Sequence, residues 1–189
     1  ALVPTFSEYA TEKDRDVLWQ VASLLFTVAG IVLACAVLVL EMGVPLLSRA
    51  LVHFEPPLQS MTTDLLRIVL IGVLFLGLSG IATALCHALQ RFTLPAFAAV
   101  AFNVSIVLFG LILGPASKNV RVLAVGLVVG TALQFVIQLP ALHGMRFRPS
   151  LDLSHPALRQ ILRLYAPVVL SLGVAGLGVL LDRNLASRT

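Results

Sequence analysis

Charge is what this chain has least of. Only 12% of its 189 residues are Asp, Glu, Lys or Arg, against 59% hydrophobic residues, and the mean hydropathy is +1.01. So little polar surface cannot cover a soluble globule of this size, which excludes the soluble class. Cysteine is nearly as scarce. Cys35 and Cys86 stand in separate apolar runs with no CxxC or Cys/His pattern, which excludes a disulfide framework and leaves two core thiols. There is no Gly-rich phosphate loop, no nucleophile elbow and no His/Cys/carboxylate group at ligand spacing. The chain is therefore read as a non-enzyme, with no catalytic residue, no metal and no cofactor. His53, His87, His143 and His155 are scattered, and His87, near the end of an apolar run, reads as an interfacial histidine. A basic n-region is missing as well: Glu8, Glu12, Asp14 and Asp16 interrupt it, and a start at Ala1 followed by VPTFSEY is expected of an interior piece of something longer.

What the chain does have is long apolar runs. Arg91 to Pro115 opens with one charge, takes Pro95 in its first turn and has no further charged residue. Pro is tolerated there because first-turn N–H groups lack an intrahelical acceptor. At about 1.5 Å per residue the run exceeds the roughly 30 Å hydrocarbon core, so it reads as a transmembrane helix. Four more runs qualify: 17–40, with Trp19 near its start; 65–90, with Arg67 placed to snorkel; 122–142; and a last one from 164 to Leu181. The fold expected is an all-α polytopic transmembrane helix bundle of about five full spans.

Between spans one and two, Glu41 to Asp64 carries Pro45, Pro56 and Pro57 and reads as a surface-skimming loop, with Thr62, Thr63 and Asp64 as a helix N-cap. Spans two and three, separated by little more than Arg91, are expected as a tight antiparallel hairpin. Before span five, ALRQILRLY puts Leu158, Ile161, Leu162 and Tyr165 on one face and Arg159, Gln160 and Arg163 on another, an amphipathic lead-in. Gly173, Gly176 and Gly178 after Pro167 make span five the one expected to bend. Seven basic residues fall on the N-terminal side and six opposite. The basic loop at Arg146 and Arg148 lies on the N-terminal side and favours it as cytoplasmic. In such a chain basic residues orient helices, so no nucleic-acid partner is expected.

Polar groups inside the apolar runs are the candidate functional residues, because hydrocarbon offers them no water. Asn103 in span three and Gln134 and Gln138 in span four are read as interhelical hydrogen-bonding groups, with cavity lining as the alternative. Asp182 and Arg183 end span five. They mark an interface there, or, if the helix continues, place a carboxylate in the bundle that requires a cation, a proton or an Arg partner. Gly110 with Gly114, and Gly126 with Gly130, stand in the GxxxG spacing that lets helices approach closely.

These residues also resemble a known family. LQRFTLPAFAAVAFNVSIVLFG resembles the loop and fifth helix of the MurJ/MviN lipid II flippases, where RF-x-[IL]-PAFAP-x-x-x-N-[IV]-S recurs. GTALQFVIQLPAL is similar to the sixth helix, PVVLSLGVAGLGVLLDRNLAS to the seventh and VPTFSEY to the end of the second. The resemblance implies part of a two-lobe flippase fold: residues 1–163 as most of the first lobe and 164–189 as the first helix of the second. It implies a lipid-linked anionic substrate, lipid II, flipped across the bacterial inner membrane by alternating access. Membrane lipids and cell-wall synthesis proteins would be the partners, with Asp182 in a site for a coupling cation, Na⁺ or H⁺. A cation-coupled drug or polysaccharide exporter of the same superfamily is the alternative, and a non-transporting membrane scaffold a second. Gly176 departs from the family, which often has a polar residue there.

Overall fold

The computed structural model describes residues 15–51, 56–117, 119–143 and 147–152, with single positions at 2, 3, 7, 158, 159, 161, 163, 167, 170 and 171. Among them there is no strand, and four long helices carry the fold: α1 (Arg15–Leu51), α2 (Pro56–Ala88), α3 (Thr93–Leu108) and α4 (Arg121–Gln138). Four segments are long and apolar enough to cross a membrane: Asp16–Leu46, Leu58–Ala88, Thr93–Leu113 and Arg121–Leu142. The expectation was about five. Most of the fifth falls outside the described residues; of its positions, 167, 170 and 171 are described and are helical.

The segment expected to be a loop, Glu41 to Asp64, is helical at every described position. Pro45 lies inside α1, and Thr62 and Thr63 lie inside α2, where their hydroxyls donate to the carbonyls of Leu58 (2.9 Å) and Gln59 (2.8 Å) and cap nothing. Membrane geometry accounts for both the polar composition and the helicity. From Trp19 to Glu41, α1 rises about 33 Å, and from Arg67 to Ala88, α2 rises about 32 Å, each matching the hydrocarbon thickness. Glu41 and Arg67 therefore sit at the far interface, 3.9 Å apart, and beyond them both helices continue as a protruding pair. There Thr63 Oγ1 reaches Ser48 Oγ at 3.1 Å.

At the near end α2 stops in a six-to-one turn. The Arg91 N–H donates to the Cys86 carbonyl (2.8 Å) while Gln90 takes a left-handed φ of 58°. This is the geometry in which helix ends satisfy their last carbonyls, here with Gln where Gly is usual. The chain then re-enters as α3, yet α2 and α3 scarcely touch, and the expected hairpin is overturned. Instead α4 packs against both, giving the spatial order α1, α2, α4, α3.

Two stripes on α4, about 100° apart around the helix, explain its central place. Gly126 and Gly130 face α3. A Cβ on Gly126 would lie 2.6 Å from Phe109 Cβ, and one on Gly130 would lie 3.0 Å from the Phe102 carbonyl oxygen. Leu127, Val128 and Thr131 face Gly72 of α2, which leaves space a Cβ would fill. Only residues without side chains allow backbones this close. α3 itself does not end at Pro115. A π turn, Phe109–Leu113, leads into a final α turn, Gly114–Ser117, with Gly114 N–H donating to Phe109 O. The wider π register precedes Pro115, which cannot donate a helical hydrogen bond and crowds the preceding turn.

Buried apolar side chains concentrate at the near end. Leu18, Val21 and Leu25 of α1 meet Ala82, Leu85 and Cys86 of α2, with Leu142 below α4. Leu158 and Ile161 join this core while Arg159 and Arg163 stay exposed, so the expected amphipathic face docks onto protein at the described positions. Toward the far end the helices leave Leu38, Val39, Met42, Leu111 and Ile112 exposed.

Gly130→Val should weaken the α3–α4 contact by about 1–3 kcal/mol, since the clashing atom is backbone and cannot move aside cheaply. Gly80→Ala, whose Cβ meets nothing within 4 Å, should change stability by less than about 0.5 kcal/mol. Thermal unfolding of the two variants in detergent checks the difference.

Candidate functional site

In an apolar bundle the polar side chains that face protein are the ones with work to do. Gln138 occupies the last turn of α4, fully buried, and forks onto α2. Its Nε2 donates to Ser79 Oγ (2.8 Å) and to the Gln134 carbonyl one turn back (2.9 Å), while its Oε1 accepts from Thr83 Oγ1 (2.9 Å). Both amide hydrogens and one oxygen lone pair are thus used. Ser79 and Thr83 are four apart, so they present both hydroxyls on one face of α2. Among the described residues no buried side-chain nitrogen or oxygen is left without a partner.

Gln134, the second glutamine, is half-buried and gives its backbone carbonyl to this network. Asn103 is exposed, and its Nδ2 donates to Ala99 O of its own helix at 2.9 Å. The hydrogen bond that joins α3 to α4 comes from Ser105 instead, whose Oγ donates to the Gly126 carbonyl at 3.0 Å. The absence of a side chain at Gly126 opens that carbonyl to the neighbouring helix. Asp182 and Arg183 lie outside the described residues, as do Gly173, Gly176 and Gly178.

Charged contacts lie at the two ends. At the near end Arg91 Nη1 donates to the Ala141 carbonyl, tying the α2–α3 turn to the 3₁₀ turn Leu139–Leu142 that follows α4. Arg148 N–H donates to Ser23 Oγ at 3.2 Å, drawing the next segment onto α1. At the far end Arg121 pairs with Asp64, linking α4 to α2, and Arg67 with Glu41, linking α2 to α1. These far-end pairs are exposed and screened, so each contributes little to stability. No group of three His, Cys, Asp or Glu side chains suited to a metal occurs among the described residues.

The chemistry this arrangement supports is mechanical. Gln138 and the near-end core hold α1, α2 and α4 as one unit, and the charges mark two interfaces. Ser79, Thr83 and Ser105 were not singled out in the sequence. For the first two the signal exists in their i, i+4 spacing opposite a buried glutamine; for Ser105 it does not, because its acceptor is a backbone carbonyl on another helix.

A family model described as Lipid II flippase MurJ matches residues 1–189. A lipid II flippase MurJ of Burkholderia cenocepacia is 27% identical over 198 residues, covering 100% of this chain and 38% of that protein. A probable lipid II flippase MurJ of Buchnera aphidicola is 24% identical over 196 residues, covering 99% and 38%. One of Vibrio cholerae is 31% identical over 118 residues, covering 61% and 22%. The chain thus spans 38% of the length of the first two relatives.

Gln138→Leu should destabilise the bundle by about 1–2 kcal/mol, because the Ser79 and Thr83 hydroxyls lose their partner in an apolar setting. A double-mutant cycle with Ser79→Ala, read by unfolding in detergent, should give a coupling of roughly 0.6–1.7 kcal/mol. Strict additivity would show that the bond contributes nothing. Asn103→Leu should leave stability within about 0.5 kcal/mol.

Proposed function

The chain belongs to the MurJ family of lipid II flippases, and from that membership we propose that it forms helices of a transporter moving lipid II across the bacterial inner membrane by alternating access. The family match along all 189 residues is the observation that carries this reading. Four membrane-length helices held as a unit at one end support it physically, since alternating access rocks packed bundles against one another. The anionic headgroup would cross within a cationic cavity while its lipid tail stays in the bilayer. Among the described residues charge lies only toward the two ends of the helices, so in this reading the midplane cations come from other helices of the transporter. Moving a lipid makes and breaks no covalent bond in it, and the protein is read as a transporter and not a catalyst.

In the same reading the near end, with Arg91 and Arg148, faces the cytoplasm, following the excess of basic residues in its short loops. Asp182 is assigned to a site for a coupling cation, Na⁺ or H⁺, on its resemblance to an acidic position of the family; carried into the bundle, its carboxylate would ionise only with a countercharge. Enzymes of cell-wall synthesis are the partners expected to supply and receive lipid II.

The test uses the complete gene. Expressed in cells depleted of their own flippase, the full-length protein should restore exposure of lipid II at the outer face, read by its accessibility to an added reagent that cannot cross the membrane. Unrestored exposure with normal membrane insertion would overturn the reading; export of drugs or polysaccharide would then replace it, and transport of nothing would leave a scaffold. Asp182→Asn should abolish the dependence of flipping on the ion gradient at normal expression. An unchanged dependence would remove Asp182 from the coupling site and leave the flippase reading standing.

A further inference from the structure

Near its far end α3 changes hydrogen-bond register. Up to Leu108 the helix is α; from Phe109 to Leu113 it is π, with Gly114 N–H donating to the Phe109 carbonyl five residues back; Gly114–Ser117 is α again. A π turn holds one residue more than the α turn it replaces, so the segments on either side keep their relative phase only while that residue stays in the bulge. Returned to α geometry, everything beyond Phe109 would rotate by about 100° around the helix axis and advance by about 1.5 Å. Neither register is free of cost. The π turn is the rarer and looser geometry, while the α register asks Pro115 for an N–H it does not have and sets its ring against the Leu111 carbonyl.

The register changes where α3 passes from anchored to unanchored. On the near side Ser105 Oγ donates to the Gly126 carbonyl, the Phe102 carbonyl lies against Gly130, and Phe109 lies so close to Gly126 that a Cβ there would stand 2.6 Å from Phe109 Cβ. In the π turn itself no residue is buried, and Leu111, Ile112 and Leu113 are exposed, so turning them breaks no core packing. Where α3 passes Leu123 of α4 it does so with Gly110, which has no side chain to interlock; a Cβ on Gly114 would meet nothing nearer than the Phe109 carbonyl oxygen at 3.8 Å. α4 begins on its own cap, Arg121 N–H donating to Asn119 Oδ1 at 3.0 Å, and is tied to α2 through Arg121 and Asp64. Its place therefore does not depend on the last turns of α3. We propose that Phe109–Leu113 is a hinge at which the far end of α3, residues 110–117, switches between the π and α registers while α4 and the rest of α3 stay fixed. The use of this hinge rests on the transporter reading above: it lets the far side of the bundle change shape during alternating access while the near end stays packed.

Spin labels on the full-length protein, with its native cysteines replaced, test this. A pair at Leu113→Cys and Ile71→Cys, both exposed positions, reports the far end of α3 against α2, and a pair at Val104→Cys and Ile71→Cys reports α3 below the hinge. Across samples with and without added lipid II, double electron–electron resonance should give two distances for the first pair, differing by up to about 8 Å, the chord of such a rotation at side-chain radius, and one distance for the second. Two variants lock the hinge in opposite senses. Deleting Ile112 makes the bond from Gly114 to Phe109 an ordinary four-residue one and should leave only the distance of the π state; Pro115→Ala restores the N–H that the α register needs and should leave only the other. Each should lower lipid II flipping by about tenfold or more, because a cycle that passes through both states is deprived of one. A single wild-type distance for the Leu113 pair, two distances that neither variant narrows to one, or locked variants that flip lipid II as fast as the wild type would each overturn the proposal. If the deletion fails to insert, the wild type and Pro115→Ala decide it. If the wild type flips no lipid II, the function proposed above fails, and the distances still decide the hinge.

Discussion

Hydrocarbon contains no water, and that constraint governs how these helices are held together. It obliges every backbone N–H and C=O to be satisfied within the chain, so the segments that cross are helices. It also removes the usual driving force for burying apolar side chains, because a leucine gains little by leaving lipid for protein. What remains is close approach and polar bonding. α4 supplies both: Gly126 and Gly130 let α3 come within contact of its backbone, and Gln138 ties it to Ser79 and Thr83 of α2. Its place between two helices that precede it in the chain follows from those residues.

The two ends of the bundle are held by different physics. At the near end Leu18, Leu85, Leu142 and their neighbours are buried together, the Gln138 network is fully paired, and Arg91 clamps the turn onto Ala141. At the far end α1 and α2 rise past the interface, where exposed ion pairs and the Thr63–Ser48 contact join helices whose outer faces remain apolar. A unit that is firm at one end and loosely tied at the other suits a part that rocks within a larger transporter, the role proposed for a member of the MurJ family.

Much of this was legible in the chain because it depends on local composition. Scarce charge and long apolar runs specify membrane helices wherever they occur. The motifs around Pro95 and around Gln134 and Gln138 carried the family resemblance, which the match over residues 1–189 shows to be membership. The apolar face at Leu158 and Ile161 was visible from spacing alone. The stretch from Glu41 to Asp64 misled for a physical reason: prolines and charges report that a segment has left hydrocarbon, and a helix supported by its neighbour continues in water all the same.

The sequence by itself determined that the backbone would cross the membrane as helices, roughly where, and which family those helices belong to, since each of these is written in residues close together along the chain. Only the tertiary structure decided which helices touch. Asn103 and Gln138 are both polar residues in apolar spans, yet Asn103 turns back to Ala99 while Gln138 reaches across to another helix. The order α1, α2, α4, α3 and the Ser105 bond to a glycine carbonyl both depend on residues far apart in the chain. Their relative placement is set by how side-chain volumes fit between helices, and no local pattern encodes that fit.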